Sequence, residues 1–505
     1  MKPYSWLRYA CLTLCIAISL LTYADSIGTP FRVNNYALGN QSPWTTVTNS
    51  SGQTIVLFND ASRNASFIQR FDQAGRRLQS DDFYVQTAQS VAIDDAGDFV
   101  IARVGPDGTG NSVFLTVFNN AGSILVPEFR ANNTIAGQKG NPHLAMSRSG
   151  EIAVTWTQIP ASGPYSVYVR RFHLNGAPLG NEFMASDPAV GYNISMGIAC
   201  NSLGNFVPTW LAFPTLGSVD YNIYARRFNS DMTPQGVPFL VNSYTPDNQA
   251  GNAIAMNDSG GFVIVWESRG QETPGSLDFG IYGRYFKTMN SVGTEFHANT
   301  QTAGSQRLAT VGIAADGSFT VAWQSQPTNS NAQVYAREFD PNGVPRAGEF
   351  LVSTGSNSVS SGQPYISMDP TGNALIIWSQ YDGTQTDVYA QRYLPAGVPV
   401  QALTDGVVIN NLAGATGSWQ YFKITVPTGK SSMDIVMTGP TDSSDADLYI
   451  RYGALPTLTV WDARPFFVGD NEGVRIFNPP AGDYLIGINA ASSYSSVSLQ
   501  ATTAQ

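Results

Sequence analysis

The sequence predicts an all-β protein: a seven-bladed β-propeller closed by an N-terminal strand, followed by a β-sandwich of jelly-roll type. Three observations predict it. A unit of about fifty residues recurs seven times, which is the signature of a repeat architecture. Each unit ends in a segment of the type F-x-V-N except the seventh, and a spare copy (Phe31, Val33, Asn34) stands near the N-terminus. Only 13% of the 505 residues are charged, while 48 Gly and 29 Pro supply turns and helical periodicity is weak.

Residues 1–24 read as a secretory signal peptide. Lys2 and Arg8 form a short basic region, Tyr9 to Leu21 is mostly apolar, and Thr22-Tyr23-Ala24 resembles a cleavage site. The apolar stretch is too short for a comfortable membrane span. Cys11 and Cys15 fall inside it, and Leu14 stands where a lipid-anchored Cys15 would need a small residue. The remaining Cys200 can form no internal disulfide and reads as a buried thiol.

Residues 25–400 carry the repeats. In the fifth, four short runs are separable: A-I-A-M-N (253–257), F-V-I-V-W (262–266), I-Y-G-R-Y-F (281–286) and E-F-H-A-N (295–299). β-branched and aromatic residues fill them and turn residues bound them, as in strands. The first two are joined by N-D-S-G, with D-D-A-G, S-R-S-G, N-S-L-G and D-P-T-G in sister units, where Gly suits a tight hairpin. Four antiparallel strands repeated seven times fit propeller blades. The spare F-R-V-N then supplies the outer strand of the last blade, pairing with 388–393 and removing an open edge. Trp156, Trp210, Trp266, Trp323 and Trp378 share one second-strand position and are expected to be core between blades.

The repeat ends near residue 400, and 398–406 is the expected junction to a second domain over 403–505. The stretches L-T-D-G-V-V-I-N-N-L-A-G (403–414), G-S-W-Q-Y-F-K-I-T-V-P (417–427), D-A-D-L-Y-I-R-Y-G (445–453) and N-P-P-A-G-D-Y-L-I-G-I (478–488) resemble the bacterial pre-peptidase C-terminal domain. The resemblance implies a compact β-sandwich of a kind appended to secreted peptidases. No peptidase domain is recognisable ahead of it. The repeats, in runs such as G-S-F-T-V-A-W-Q-S (317–325) and V-Y-A-R-E-F-D-P-N-G (334–343), resemble those of large secreted bacterial surface and RTX-type proteins. That likeness implies an extracellular setting, secreted or at the periplasm or cell surface.

A net charge of −10 opposes nucleic-acid phosphates and anionic membranes, so neither is an expected partner; a monomer is expected. N-D-S-G-G (257–261) looks like a serine-protease nucleophile stretch but aligns with the hairpin link of every other repeat, which makes Ser259 a turn residue. The D-x-x-G links lack the spacing of sialidase Asp boxes. His143, His173 and His297 lie in different repeats and form no zinc or triad signature, though His143 begins a first strand and could face a central channel. Asp445 and Asp447 fall on one strand face with Asp442 nearby. They are candidate Ca²⁺ ligands, the alternative being bonds to backbone amides.

Binding residues tend to sit on variable loops held by a rigid scaffold. The second-to-third and blade-to-blade links are long and varied and share one face. That face carries Phe213, Asp220, Tyr221, Arg269 and Glu272, and further round Asp278, Phe279, Tyr381 and Asp382. Aromatics beside acids suit sugar stacking or peptide capture. A glutamine recurs near the first strand (Gln41, Gln89, Gln138, Gln249, Gln306, Gln363), either holding the connecting loop or ringing the channel mouth. The expected function is non-catalytic binding of an extracellular glycan or protein, with no catalytic residue assigned. The alternatives are a glycan hydrolase or lyase using acids such as Asp220 or Asp278, and a structural surface or secretion-associated protein.

Overall fold

The computed structural model describes residues 26–72, 75–327, 330–353, 360–395, 397–465 and 467–505. The leader expected over 1–24 lies outside them. Nine four-stranded sheets account for the described strands, with one 3-10 turn at Pro188–Val190 and no α-helix among the described residues.

Seven sheets follow the repeat. The fifth runs Gln249–Met256, Phe262–Arg269, Phe279–Phe286, Thr294–His297, each strand antiparallel to its neighbour. Its hairpin closes where Asn257 Oδ1 accepts the Gly261 amide at 2.9 Å and Ser259 Oγ at 2.8 Å, so Ser259 is a turn residue. Asn49, Asn201 and Asp369 close other repeats' turns in the same way. The second strand is apolar on both faces, with Val263, Ile264, Val265 and Trp266 fully buried, because a sheet lies against each side.

The first strands touch in a closed cycle: Gln41–Thr48, Ala88–Ile93, Gln138–Met146, Tyr192–Cys200, Gln249–Met256, Ser305–Ile313, Ser361–Met368, and back to the first. Seven apolar clusters lie between successive sheets, one for each neighbouring pair. The repeated Trp156, Trp210, Trp266, Trp323 and Trp378 sit in them, no more than 1% exposed.

In four sheets the fourth strand is only two residues long, for example Phe183–Met184. Short outer strands limit edge-to-edge pairing. The Asn that follows explains the repeated F-x-V-N: Asn132, Asn242 and Asn299 each accept a third-strand amide through Oδ1 and donate Nδ2 to the carbonyl two residues on. The seventh sheet (Ser361–Met368, Ala374–Tyr381, Thr386–Tyr393) takes Ser26–Arg32 as its fourth strand, in the register Phe31↔Ala390. Val33 donates to the Val388 carbonyl at 2.7 Å and Asn34 Oδ1 accepts the Val388 amide at 2.9 Å, the same closure as in the interior repeats.

The C-terminal region packs two sheets around one core that includes Phe422, Met433, Leu448, Ile486 and Leu499. Val400–Ala402 pairs in parallel with Tyr421 to Lys423, so strand pairing with this region begins ahead of the start expected at 403. The region docks on the tight-turn face of the ring. Leu455 and Leu485 share a cluster with Ile27 and Leu394; Gly28 donates to Asp483 Oδ2 at 2.8 Å; Arg451 donates to the Ser51 carbonyl at 3.0 Å.

Candidate functional site

A cavity of about 540 Å³ occupies the centre of the cycle, lined by first-strand residues of all seven sheets. Every first strand breaks register with its second strand near its start, at Trp44, Gln89, Asn141, Met196, Gly251, Leu308 and Gln363 in turn. These bulges ring the cavity at the long-loop end. Bulges recur where a strand must re-aim side chains, often beside active or binding sites. Asn141 (φ 48°), Gly251 (φ 56°), Leu308 (φ 57°) and Gln363 (φ 48°) reach the left-handed region there. For Leu308 that conformation costs about 1–2 kcal/mol. It is held because Glu267 Oε1 accepts the Leu308 amide at 2.7 Å and Oε2 accepts Arg307 Nε at 2.9 Å.

Polar stitches join neighbouring sheets around this wall. Leu144 N donates to Ser90 Oγ, Ser195 N to Thr157 Oγ1, and Asn252 Nδ2 to Thr209 Oγ1, at 2.8–3.0 Å. Thr46 and Ser367 hydroxyls meet at 3.1 Å where the seventh sheet meets the first. At the opposite, tight-turn end, Arg148 pairs with Asp95 of the second sheet (3.6 Å) and with Asp258 of the fifth. The second pair skips the fourth sheet, so the guanidinium spans the opening. Met146, Met256 and Met368 line the space beside it.

The wall carries no Lys, Arg, Asp or Glu among the described residues. His143 lies in it, and burial pushes its pKa down to about 4, against a smaller upward pull from a hydrogen bond to the Ser195 backbone, so the imidazole is neutral. His173 is in an exposed turn, and His297 stacks on Tyr282 and pairs with Glu272, so the three histidines do not meet. Cys200 ends a first strand, its thiol pushed up to about 12 by burial.

The residues expected on the long-loop face fare differently. Tyr221 is half-buried and Asp220 exposed. Phe213 is only 5% exposed: it stacks on Tyr192 (5.5 Å) and meets Tyr221 edge-on (5.2 Å), so it supports the tyrosines instead of presenting itself. Phe279 is likewise covered, by the Arg307 guanidinium 4.6 Å above its ring. Arg269 Nε donates to Asp247 Oδ2 at 2.9 Å, and Asp278 accepts Ser305 Oγ at 3.1 Å. Glu272 accepts Asn299 Nδ2 at 2.7 Å. Tyr381 is exposed and donates to the Gly383 carbonyl. Asp382 caps its own loop, and the Thr384 hydroxyl and amide hold its carboxyl below the usual range. Of the recurring glutamines, Gln41 and Gln249 hold the connecting loops through Leu38 and Pro246 carbonyls, while Gln89 and Gln363 line the cavity.

Three residues at the mouth were not singled out by the sequence reading. Trp44, on the first bulge, lines the cavity and is 40% exposed, unlike the five core tryptophans. Glu267 and Arg307 form the support behind the Leu308 bulge. The only sequence signal for Trp44 is that it falls in a first-strand run, where the repeated tryptophans do not.

In the C-terminal region the three candidate metal ligands have protein partners. Asp445 Oδ1 accepts the Gly469 amide at 2.8 Å, Asp447 pairs with Arg464 at 3.1 Å, and Asp442 accepts the Ser444 amide at 2.8 Å. No group of three or more His, Cys, Asp or Glu side chains is placed to hold a metal among the described residues.

Residues 420–490 match the bacterial pre-peptidase C-terminal domain family. Over 107 residues the chain is 41% identical to alkaline serine exoprotease A of Vibrio alginolyticus, covering 21% of this chain and 20% of that protein. Over 100 residues it is 37% identical to an extracellular protease of Xanthomonas campestris, covering 20% of this chain and 17% of that protein. The chain thus spans about a fifth of the length of these relatives. A solved polysaccharide lyase, an ulvan lyase, aligns over 73% of this chain and 93% of its own at 10% identity and a TM-score of 0.46.

Proposed function

We propose that the chain is a secreted, non-catalytic binding protein for an extracellular glycan or protein, with the ligand on the long-loop face. In this reading the cycle of sheets is a seven-bladed β-propeller over 25–400, and the C-terminal region is a β-sandwich of the pre-peptidase C-terminal kind. One observation carries it. The central cavity opens between the long loops with Trp44 exposed at its rim, on the face away from the docked C-terminal region. An aromatic rim over an uncharged wall suits stacking and hydrogen bonding to a ligand. Of the acids on this face, Glu267 is engaged by Arg307 and Leu308, Asp278 by Ser305 and Asp382 by its own loop, while Asp220 stands exposed in its loop. The carboxyls pushed upward by burial, Asp94, Asp462 and Glu472, lie in a tight turn and in the C-terminal region, away from the rim. A general acid or base needs a shifted group within reach of the reacting bond.

The second reading, a glycan hydrolase or lyase, is favoured by one observation: His143 places an imidazole in the cavity wall, where it can hydrogen-bond a reacting group. The test is co-sedimentation of the purified chain with polysaccharides and with collagen, alongside assays for reducing ends and unsaturated products. Binding without product release, weakened at least tenfold by Trp44→Ala, supports the first reading. Product release abolished by His143→Ala replaces it with the second.

A further inference from the structure

Resting on the reading of the long-loop face as a glycan site, we infer that the central cavity is an end-on site for an uncharged saccharide. The terminal unit of a neutral chain enters the cavity, and the rest of the chain leaves across the rim past Trp44.

The chemistry of the wall carries the charge assignment. The protein holds a net −10, yet among the described residues no charged side chain lines this cavity, and its one imidazole is kept neutral. A uronate or sulfate group inside would lose water and meet no counter-charge on the wall, and a cationic ligand no carboxylate, since Arg307 and Glu267 at the mouth are paired with each other. The wall offers amides instead: Asn141 and Gln363 are exposed and Gln89 is half-buried. Saccharide hydroxyls pair with amides without charge.

The shape carries the end-on assignment. The long-loop rim carries the exposed Trp44, while the far end is spanned by Arg148 between Asp95 and Asp258. This bridge obstructs that end, which favours a chain terminus inside over a threaded chain. At about 540 Å³ the space is within the range that buries a small ligand.

The experiment uses the full chain on a printed array of neutral and of uronate- or sulfate-bearing oligosaccharides. Calorimetric titration of the best neutral oligosaccharide follows, free and with its terminal units alkylated. The expected result is binding of neutral chains, weakened at least tenfold by terminal alkylation and by Met196→Trp, which narrows the mouth. Gln363→Asn, which shortens an exposed wall amide and keeps its left-handed backbone, should weaken binding as well; Met196→Trp keeps the test valid if Gln363→Asn disturbs folding. Binding confined to acidic chains, or equal affinity for free and end-blocked chains, overturns this inference while leaving glycan binding in place. Binding to no saccharide of either class removes both.

Discussion

The ring of sheets and the C-terminal region are built from the same element, a four-stranded antiparallel sheet, yet they secure their cores in opposite ways. The C-terminal region faces two sheets across one core. The ring has no central core. Its apolar side chains are shared out among seven clusters, each spanning two neighbouring sheets, and the one between the seventh sheet and the first draws on Val33 and Phe31 from the N-terminal end of the chain. A stack that buries its faces only against neighbours depends on every interface. Closing that stack into a ring removes the two open ends and leaves an uncharged hollow where the first strands meet.

The comparison breaks most visibly at the closure. Deleting 26–34 removes the fourth strand of the seventh sheet, the Val33 and Phe31 burial, and the Asn34 bonds. The expected loss is about 5 kcal/mol or more from the burial and hydrogen bonds together. Calorimetry should show the ring's transition falling well below that of the C-terminal region; coincident, unshifted melting would refute the closure. Because Ile27 and Gly28 also touch Leu485 and Asp483, the two regions should uncouple at the same time.

Next in size is a contrast within one residue type. Trp266→Ala, in an inter-sheet cluster, should cost about 3–5 kcal/mol. Trp44→Ala, 40% exposed at the rim, should cost under about 1 kcal/mol while removing ligand binding. Equal destabilisation measured by denaturant titration would mean Trp44 is a packing residue.

A smaller effect concerns the tight turns. Sheets one, four and five place Asn49, Asn201 and Asn257 where the second places Asp94, whose carboxyl burial pushes up to about 6. Its pKa in the fold lies above its unfolded value of 3.8, so the folded state holds the proton more tightly. Stability is therefore greatest below about 4 and declines as pH rises to about 6, by roughly 1–2 kcal/mol after allowing for solvent screening. Asp94→Asn should raise the melting temperature at pH 7 and leave it unchanged at pH 4. A gain of the same size at both pH values would remove the titration argument.

The smallest expected effect is none. A 400–505 fragment should fold alone on its single core. Its melting should be indifferent to Ca²⁺, since Asp442, Asp445 and Asp447 already bond to amides or Arg464. A calcium-dependent rise would assign those residues to a cation instead.

Much of the fold was legible because a repeat samples the same physics seven times. One hairpin of the N-D-S-G type is a weak signal, but its recurrence fixes the strands and shows that Ser259 belongs to a turn. The displaced F-R-V-N likewise announced its own pairing, since Asn34 makes the bonds its sister asparagines make. The long-loop face was legible from loop length alone. Which side chains it presents was not: Phe213 and Phe279 look like ligand platforms in sequence, but a covering tyrosine and a covering guanidinium are contributed from distant positions. The cavity wall was the least legible, because the bulge that exposes Trp44 depends on how a first strand meets its neighbours.

The sequence by itself determined the repeat, the strands, the turns and the closing segment, since each rests on local pattern and short-range hydrogen bonding. Only the tertiary structure decided that the tight-turn end is spanned by Arg148, that the C-terminal region docks on that same end, and that the hollow is uncharged. Those properties come from which side chains converge when seven separate strands meet, and convergence depends on distances that sequence order does not encode.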